Sequence, residues 1–350
     1  MWFPCSGNTW DWKMKHRNGR NWRNKAAGYL NACAGFLARS DRSFGVPVSC
    51  FIEPTNLCNL RCPLCAAGSG ALRRSRGIMG IEQFEHIIGN LPLGITDLYL
   101  WGQGEPFIAP DFLSMVSLAS GRGFRTIVST NGHFLDNPGD IIASGLHTLI
   151  VSLDGVDPET YESYRIGGFY HKVLEGIRGV SEAAARERSG PEIELQCVVN
   201  RRNEKDLKQF KTLARSLGAH RTVFKTLQVS SLSGGESLSS YLPSDPNLTR
   251  YRKMKRGKDI QLETDRRRVL RDRCLRLYYS LQVDWEGNVV PCCFDKNSEY
   301  SMGNLLDESF ESIWNGERYR AFRNVLNREG RVLPMCRNCT EGLRRMNIHV

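Results

Sequence analysis

Three cysteines crowd into one stretch of eight residues, CNLRCPLC, at Cys58, Cys62 and Cys65. A disulfide needs its cysteines in pairs, and a structural zinc site closes with four ligands. No histidine lies near in the sequence to supply the fourth. Iron–sulfur clusters are held by thiolates, normally four to a cubane. Three thiolates on one short loop would hold three irons and leave the fourth open. An open iron is a Lewis-acidic position for the amine and carboxylate of a small molecule, much as catalytic zinc keeps one position vacant. The polar neighbours Asn56, Asn59 and Arg61 argue against packed core thiols.

A second set lies near the other end: Cys274, Cys292, and Cys336 with Cys339 in CRNC. Four thiolates can enclose one centre, either an all-cysteine zinc or a 4Fe–4S cluster. Cys292 follows the expected hairpin LQVDWEGNVVPCCFD, and Cys293 is its neighbour. Adjacent residues on a strand point to opposite faces, so Cys293 is expected to pack elsewhere. Cys5, Cys33, Cys50 and Cys197 belong to no such pattern; the last two fall inside expected strands, where cysteine serves as a small buried hydrophobe.

These residues need a scaffold. Short apolar runs at 46–54, 95–102, 124–130, 147–155, 192–200 and 221–229 alternate with helical patterns at 80–91, 110–121, 138–144, 157–187 and 203–217. The alternation predicts βαβ units and a parallel sheet. Six units are too few for a closed eight-stranded barrel and enough for an open, partial one; a doubly wound sheet shares the pattern. In either case the chemistry belongs on loops that follow the strands' C-terminal ends. The cysteine loop follows the first strand, GQGEP (102–106) the second and STNG (129–132) the third. SLDG (152–155) ends the fourth, with Arg165 further on in YRIGG.

The C-x3-C-x2-C loop after the first strand resembles the cluster loop of radical S-adenosylmethionine (SAM) enzymes. The resemblance implies an α/β fold, a partial (βα)6 TIM-like barrel. It also implies a 4Fe–4S cluster on Cys58, Cys62 and Cys65 whose open iron binds SAM. Reductive cleavage would then give a 5′-deoxyadenosyl radical that abstracts a substrate hydrogen atom. GQGEP is similar to the family's glycine–glutamate motif, with Gln103 as a departure. Gly104 would let the backbone approach SAM, and Glu105 would accept from its ammonium. Ser152 would meet the ribose or carboxylate, and Arg165 the carboxylate. A turn or surface role competes at each position. STNG and Asp154-Gly155 equally suit plain turns, and His86, His133 and His147 suit surface or core positions.

Cys274-x12-Gly287-x4-Cys292, followed by GNL to IWNGE (303–317), resembles the SPASM extension of such enzymes. No cysteine follows Cys339, so a second auxiliary cluster could not be built. The resemblance implies a twitch-like or single-cluster form, in which one auxiliary 4Fe–4S cluster on Cys274, Cys292, Cys336 and Cys339 accepts or relays an electron. The implied reaction is oxidation of a small alcohol or sugar-like substrate, with peptide maturation as the alternative. About 45 residues before the first strand are few for a built-in leader-recognition domain. Lys225, Thr226 and Gln228, ending the sixth strand, are candidate substrate contacts. An electron donor such as flavodoxin or ferredoxin is implied. A non-catalytic protein with two structural metal sites is the rival from another class.

The 350 residues are 41% hydrophobic and carry twelve cysteines. No run of eighteen apolar residues and no apolar signal core occur, so a cytoplasmic, reducing location is expected. The net charge of +11 concentrates in residues 13–24 and 250–273. Solvated basic segments explain it simply. An anionic partner, nucleic acid or a membrane surface beside Trp2, Phe3, Trp10, Trp12 and Trp22, would explain it more sharply, although no motif supports either. The expected division is a basic, Trp-rich extension (1–45), the barrel core (46–232), a loop and basic linker (233–270) and the auxiliary-cluster domain (271–350).

Overall fold

The computed structural model describes residues 22–229, 240–256, 259–264, 273–337, 339 and 347–348. Six strands run parallel and adjacent in chain order: β1 (Ser49–Ile52), β2 (Asp97–Leu100), β3 (Arg125–Thr130), β4 (Thr148–Ser152), β5 (Glu192–Val199) and β6 (Arg221–Thr226). A doubly wound sheet would reverse its strand order part-way. This one does not, and the partial barrel is the fold.

The helices follow the predicted stretches: α2 (Ile81–Gly89), α3 (Phe112–Gly121), α4 (Pro138–Ala143), α5 (Pro158–Glu162), α6 (Tyr170–Glu187) and α7 (Leu207–Ser216), after an N-terminal α1 (Trp22–Leu37). One expected helix, 157–187, is broken between α5 and α6. The break carries Arg165 and ends in Gly167 at φ +86°, a left-handed turn that suits glycine. Arg165 thereby leaves the helical path and reaches the strands' C-terminal ends.

Period-2 alternation sorts the strands into two faces. Cys50, Ile52, Leu98, Leu100, Val128, Leu149, Val151, Ile193, Leu195 and Cys197 are buried in the core beneath the helices, joined by Phe84, Met115 and Phe210. The alternate positions, Phe51, Tyr99, Ser129, Ser152, Gln196 and Lys225, are only half-buried. Parallel strands covered on both faces are apolar on both. Here the inner face mixes polar and aromatic side chains with the apolar Ile127, Ile150 and Val198.

The C-terminal segment extends the same sheet. β9 (Ser280–Val283) lies parallel to β1, pairing Phe51 with Gln282, and β10 (Asn288–Val290) and β11 (Gly303–Asn304) add antiparallel neighbours. At the other edge β12 (Asn347–Ile348) pairs with Lys225 and Phe224 of β6. Part of the expected linker is a hairpin, β7 (Tyr251–Arg256) with β8 (Asp259–Thr264). Its charge-rich sequence hides the strand signal, but Tyr251 and Leu262 are buried. Short helices α8 (Arg276–Tyr279), α9 (Phe310–Trp314), α10 (Glu317–Arg328) and α11 (Pro334–Arg337) complete this end.

Arg323 of α10, fully buried, fastens this end together. It donates to the carbonyls of Leu277 and Trp314 at 3.1 and 2.9 Å, and its guanidinium lies 4.4 Å from the Tyr319 ring centroid and 4.5 Å from that of Trp314. Helix α1 packs on the same end, Gly35 against Tyr278, and Lys25 pairs with Asp97 of β2 at 2.5 Å. The basic cluster at 13–24 and its tryptophans fall largely outside the described residues. Among the described residues no helix is long and apolar enough to cross a membrane.

Candidate metal centres

The loop after β1 brings Cys58, Cys62 and Cys65 within electrostatic reach of one another. The Cys65 N–H donates to the Cys62 carbonyl at 3.2 Å, and the Leu60 N–H points at the Cys58 sulfur at 3.5 Å. Burial raises the Cys58 thiol and pushes Cys62 up to about 11. Without metal these groups stay protonated at neutral pH. A bound metal deprotonates such thiols outright, so the donor set fits a cluster that binds with proton release.

The neighbouring strand ends brace this loop. The Glu105 N–H donates to the Leu57 carbonyl at 2.8 Å. A Cβ on Gly104 would lie 2.4 Å from that carbonyl oxygen, so glycine lets the β2 turn press against the loop's backbone. The buried Glu105 carboxylate accepts from Thr130 Oγ1 and the Asn131 N–H, each at 2.7 Å. Burial nevertheless pushes it up to about 7. Asn131 also donates from Nδ2 to Asn59 at 2.7 Å. The STNG turn therefore ties the first three strand ends together, a role its sequence does not announce.

Arg165 donates from Nε to Asp154 Oδ2 at 2.6 Å. Burial disfavours the cation, but Asp154 and then Cys62 outweigh that and hold Arg165 above its ordinary range. Asp154, fully buried, also accepts from the Val198 N–H at 2.7 Å. SLDG is thus more than a turn: its aspartate orients Arg165 beside the cysteine loop. Ser152 stands half-buried on the inner face, in register with Gln196.

A second buried pair has no signal in the sequence. Arg74, just past the cysteine loop, pairs with Glu53 at 2.6 Å and donates from Nε to the Lys296 carbonyl at 2.8 Å. Ser75 donates to Glu286 at 2.7 Å, and Gly77 lies flat on Trp285. The tail of the cysteine loop thereby rests on the C-terminal hairpin. No short-range signal could have found this contact between residues more than two hundred positions apart.

At that end Cys274, Cys292, Cys336 and Cys339 line one small space, with Leu277, Phe294, Phe322, Leu326 and Arg331. Among the described residues no three Cys, His, Asp or Glu side chains converge to ligate a single ion. Arg331 Nη1 reaches the Cys339 sulfur at 3.3 Å.

Cys292 and not Cys293 lines this space. Cys293 receives Arg276 Nη1 at 3.7 Å and lies within electrostatic reach of Lys225, on the inner-face side. Cys50 and Cys197 are buried core thiols, Cys33 is half-buried, and Cys5 lies outside the described residues. Thr226 does not serve the chamber, since its hydroxyl accepts from Arg250 Nε at 2.6 Å. His133 is buried; its Nε2 accepts from the Phe169 N–H at 2.8 Å. His86 and His147 are exposed.

Comparison with known proteins agrees with this geometry. Residues 52–214 match the Radical SAM superfamily, and residues 274–340 match SPASM, an iron–sulfur cluster-binding domain. Among curated relatives, the chain is 24% identical to an AdoMet-dependent heme synthase of Methanosarcina barkeri, over 80% of this chain and 85% of the relative. It is 26% identical to a tungsten-containing aldehyde ferredoxin oxidoreductase cofactor-modifying protein of Pyrococcus furiosus, over 83% and 86%. Among solved structures, SuiB of Streptococcus suis bound to S-adenosylmethionine superimposes with a TM-score of 0.63 at 13% identity, covering 87% of this chain and 75% of that one. BtrN in complex with AdoMet and 2-DOIA gives 0.51 at 19% identity, covering 85% and 94%. The motifs, the strand order and both matched regions converge: this chain belongs to the radical SAM superfamily and carries a C-terminal SPASM domain.

Proposed function

We propose that the chain is a radical SAM oxidoreductase acting on a small hydroxylated, sugar-like substrate held on the inner face of the partial barrel. Bound at Cys58, Cys62 and Cys65, a 4Fe–4S cluster with SAM supplies a 5′-deoxyadenosyl radical for hydrogen-atom abstraction. The protein's part is to hold and orient. Gly104 keeps the β2 turn close to the cysteine loop, Glu105 receives the SAM ammonium, and Ser152 and Arg165 receive its hydroxyl and carboxylate groups. Asp154 fixes the Arg165 guanidinium so that little side-chain freedom is lost on binding. Cys274, Cys292, Cys336 and Cys339 hold an auxiliary cluster that takes up or relays an electron.

The observation that carries the substrate class is the set of polar side chains at the upper part of the inner face. Ser129, Ser152, Gln196 and Lys225 stand where a wholly packed parallel sheet would carry apolar side chains. Phe51, Tyr99 and Trp101 form an aromatic wall beside them, Phe51 stacked on Tyr99 at 4.3 Å. Polar groups beside an aromatic wall suit a polyol or aminopolyol. A reduced flavodoxin or ferredoxin is the proposed electron donor, and the cytoplasm the proposed location.

Peptide maturation is the second reading. A mycofactocin maturase of Mycobacterium tuberculosis is 29% identical over 52% of this chain, and SuiB has been solved with its precursor peptide. Anaerobically reconstituted protein is expected to bind about eight irons, four for each cubane, and to form 5′-deoxyadenosine when reduced. Faster formation with aminopolyols than with precursor peptides supports the first reading, and the reverse supports the second. Zinc without iron, and no deoxyadenosine, would overturn both.

A further inference from the structure

Helix α1 is apolar on two sides. Its inward side covers the barrel: Gly28 lies against Val48, Gly35 against Tyr278, and Ala32 and Phe36 join the core. A surface helix normally turns charged and polar residues outward. In α1 the twelve residues from Ala26 to Leu37 include none that is charged. Ala27, Leu30, Ala34 and Leu37 recur at intervals of three and four residues, so they share one side of the helix. All four are exposed, Leu30 by 69% and Leu37 by 71%. Phe44, 54% exposed, stands at the helix's flank, because its neighbour Gly45 packs on Asn31.

Cations frame this apolar strip. Arg39 and Arg42 are exposed just past its end. Before it in the sequence come Lys13, Lys15, Arg17, Arg20 and Arg23, among Trp10, Trp12 and Trp22. Residues 1–45 hold eight Lys and Arg against two Asp, a surplus of six within the net charge of +11. Asp41 is already paired with Arg320 at 2.9 Å. The strip also has a definite place in the fold. Val48 and Asp97, which α1 touches, stand at the N-terminal ends of β1 and β2, whereas the cysteine loop follows the C-terminal end of β1.

We propose that the outward side of α1, with the basic segment before it in the chain, binds the surface of an anionic lipid bilayer. Leu30, Leu37 and Phe44 enter the headgroup boundary, and the cations meet the lipid phosphates. Nucleic acid would use the cations but leave the leucines in water. A second copy docked face to face would set this basic stretch against its own like charge. The enzyme then rests with its N-terminal strand ends on the bilayer and its cysteine loop turned away from it. This role is independent of the substrate class.

The test is sedimentation of the cluster-loaded full chain, anaerobically, with vesicles of equal parts phosphatidylcholine and phosphatidylglycerol, and with phosphatidylcholine alone. Binding to the anionic vesicles is expected to be at least about tenfold tighter than to the neutral ones, and to weaken as salt is raised. Leu30→Gln combined with Leu37→Gln should weaken it at least about tenfold, through lost burial of two apolar side chains. Leu30→Phe combined with Leu37→Phe should keep it. Both positions are exposed, so the variants should melt with wild type. No binding to anionic vesicles, or equal binding by wild type and the Gln variant, overturns the proposal. So does binding to RNA in place of vesicles, or a wild-type dimer that the Gln variant makes monomeric. Deoxyadenosine formation is measured without vesicles and should be the same in every variant, so loss of this anchor leaves the radical chemistry standing.

Discussion

The two cysteine sites are built in opposite ways. Cys58, Cys62 and Cys65 come from one loop, and their spacing alone brings them together. Cys274, Cys292, Cys336 and Cys339 come from the approach to α8, the end of a hairpin, and both ends of the C-terminal knuckle. The first site is local and supported from outside, by Glu105, Asn131 and Arg74. The second would enclose its guest and help define the fold around it. A local site can leave a position open for a ligand, because its loop is held by neighbours. An enclosing site spends all its thiolates on the cluster.

The sharpest way to break this contrast is Cys62→Ala. Deoxyadenosine formation is expected to fall to background and bound iron by about four per chain, with the C-terminal iron retained. Retained cleavage would sink the assignment of the first site. Cys336→Ala should do the converse, removing about four irons while uncoupled SAM cleavage persists and substrate oxidation stops. In the same series Cys292→Ala should behave like Cys336→Ala, and Cys293→Ser should keep all the iron.

Stability offers a finer test. Ligation at the C-terminal site closes 65 positions, against 7 at the loop. Loop-closure entropy then makes the C-terminal cluster worth about 2 kcal/mol more to the fold. Differential scanning of the two single-site variants should show the larger loss of Tm for Cys336→Ala. Gly104→Ala should act on one side only. Its Cβ would meet the Leu57 carbonyl, costing about 1–3 kcal/mol and loosening the first cluster while leaving the second site's absorption unchanged.

The smallest effect expected is that of Glu105. Its folded value of about 7 lies above the ordinary 4.5, so the protonated form is favoured by folding. That contribution is complete below pH 4.5 and disappears as pH rises through 7. In the metal-free chain, urea titrations across this window should show stability falling with pH, and Glu105→Gln should flatten that slope. An unchanged slope would mean that the carboxylate is solvated and not buried against Thr130.

Much of this architecture was legible beforehand, for identifiable reasons. The six strands and their helices announced themselves because outward positions are apolar and regularly spaced. The broken helix did not, because α5 and α6 are both amphipathic and only the glycine pair of YRIGG marks the turn. The hairpin of β7 and β8 was hidden by its charge. Asp154 and Asn131 sat in dipeptides that suit any turn, and their partners lie on other loops.

Local pattern belongs to the sequence: the cysteine loop, the CRNC spacing, the order of strands and helices, and the burial of Cys50 and Cys197 in the core. Those properties depend on spacings of a few residues, which backbone geometry converts directly into position. The tertiary structure decided the rest. It placed Cys292 against the C-terminal space and Cys293 beside Arg276, in the turn after β10 and not on the strand the sequence suggests. It set Arg165 against Asp154, and joined Arg74 to Glu53 and the C-terminal hairpin. Each of these depends on which distant strand lies alongside and in what register, and no short stretch of chain encodes that.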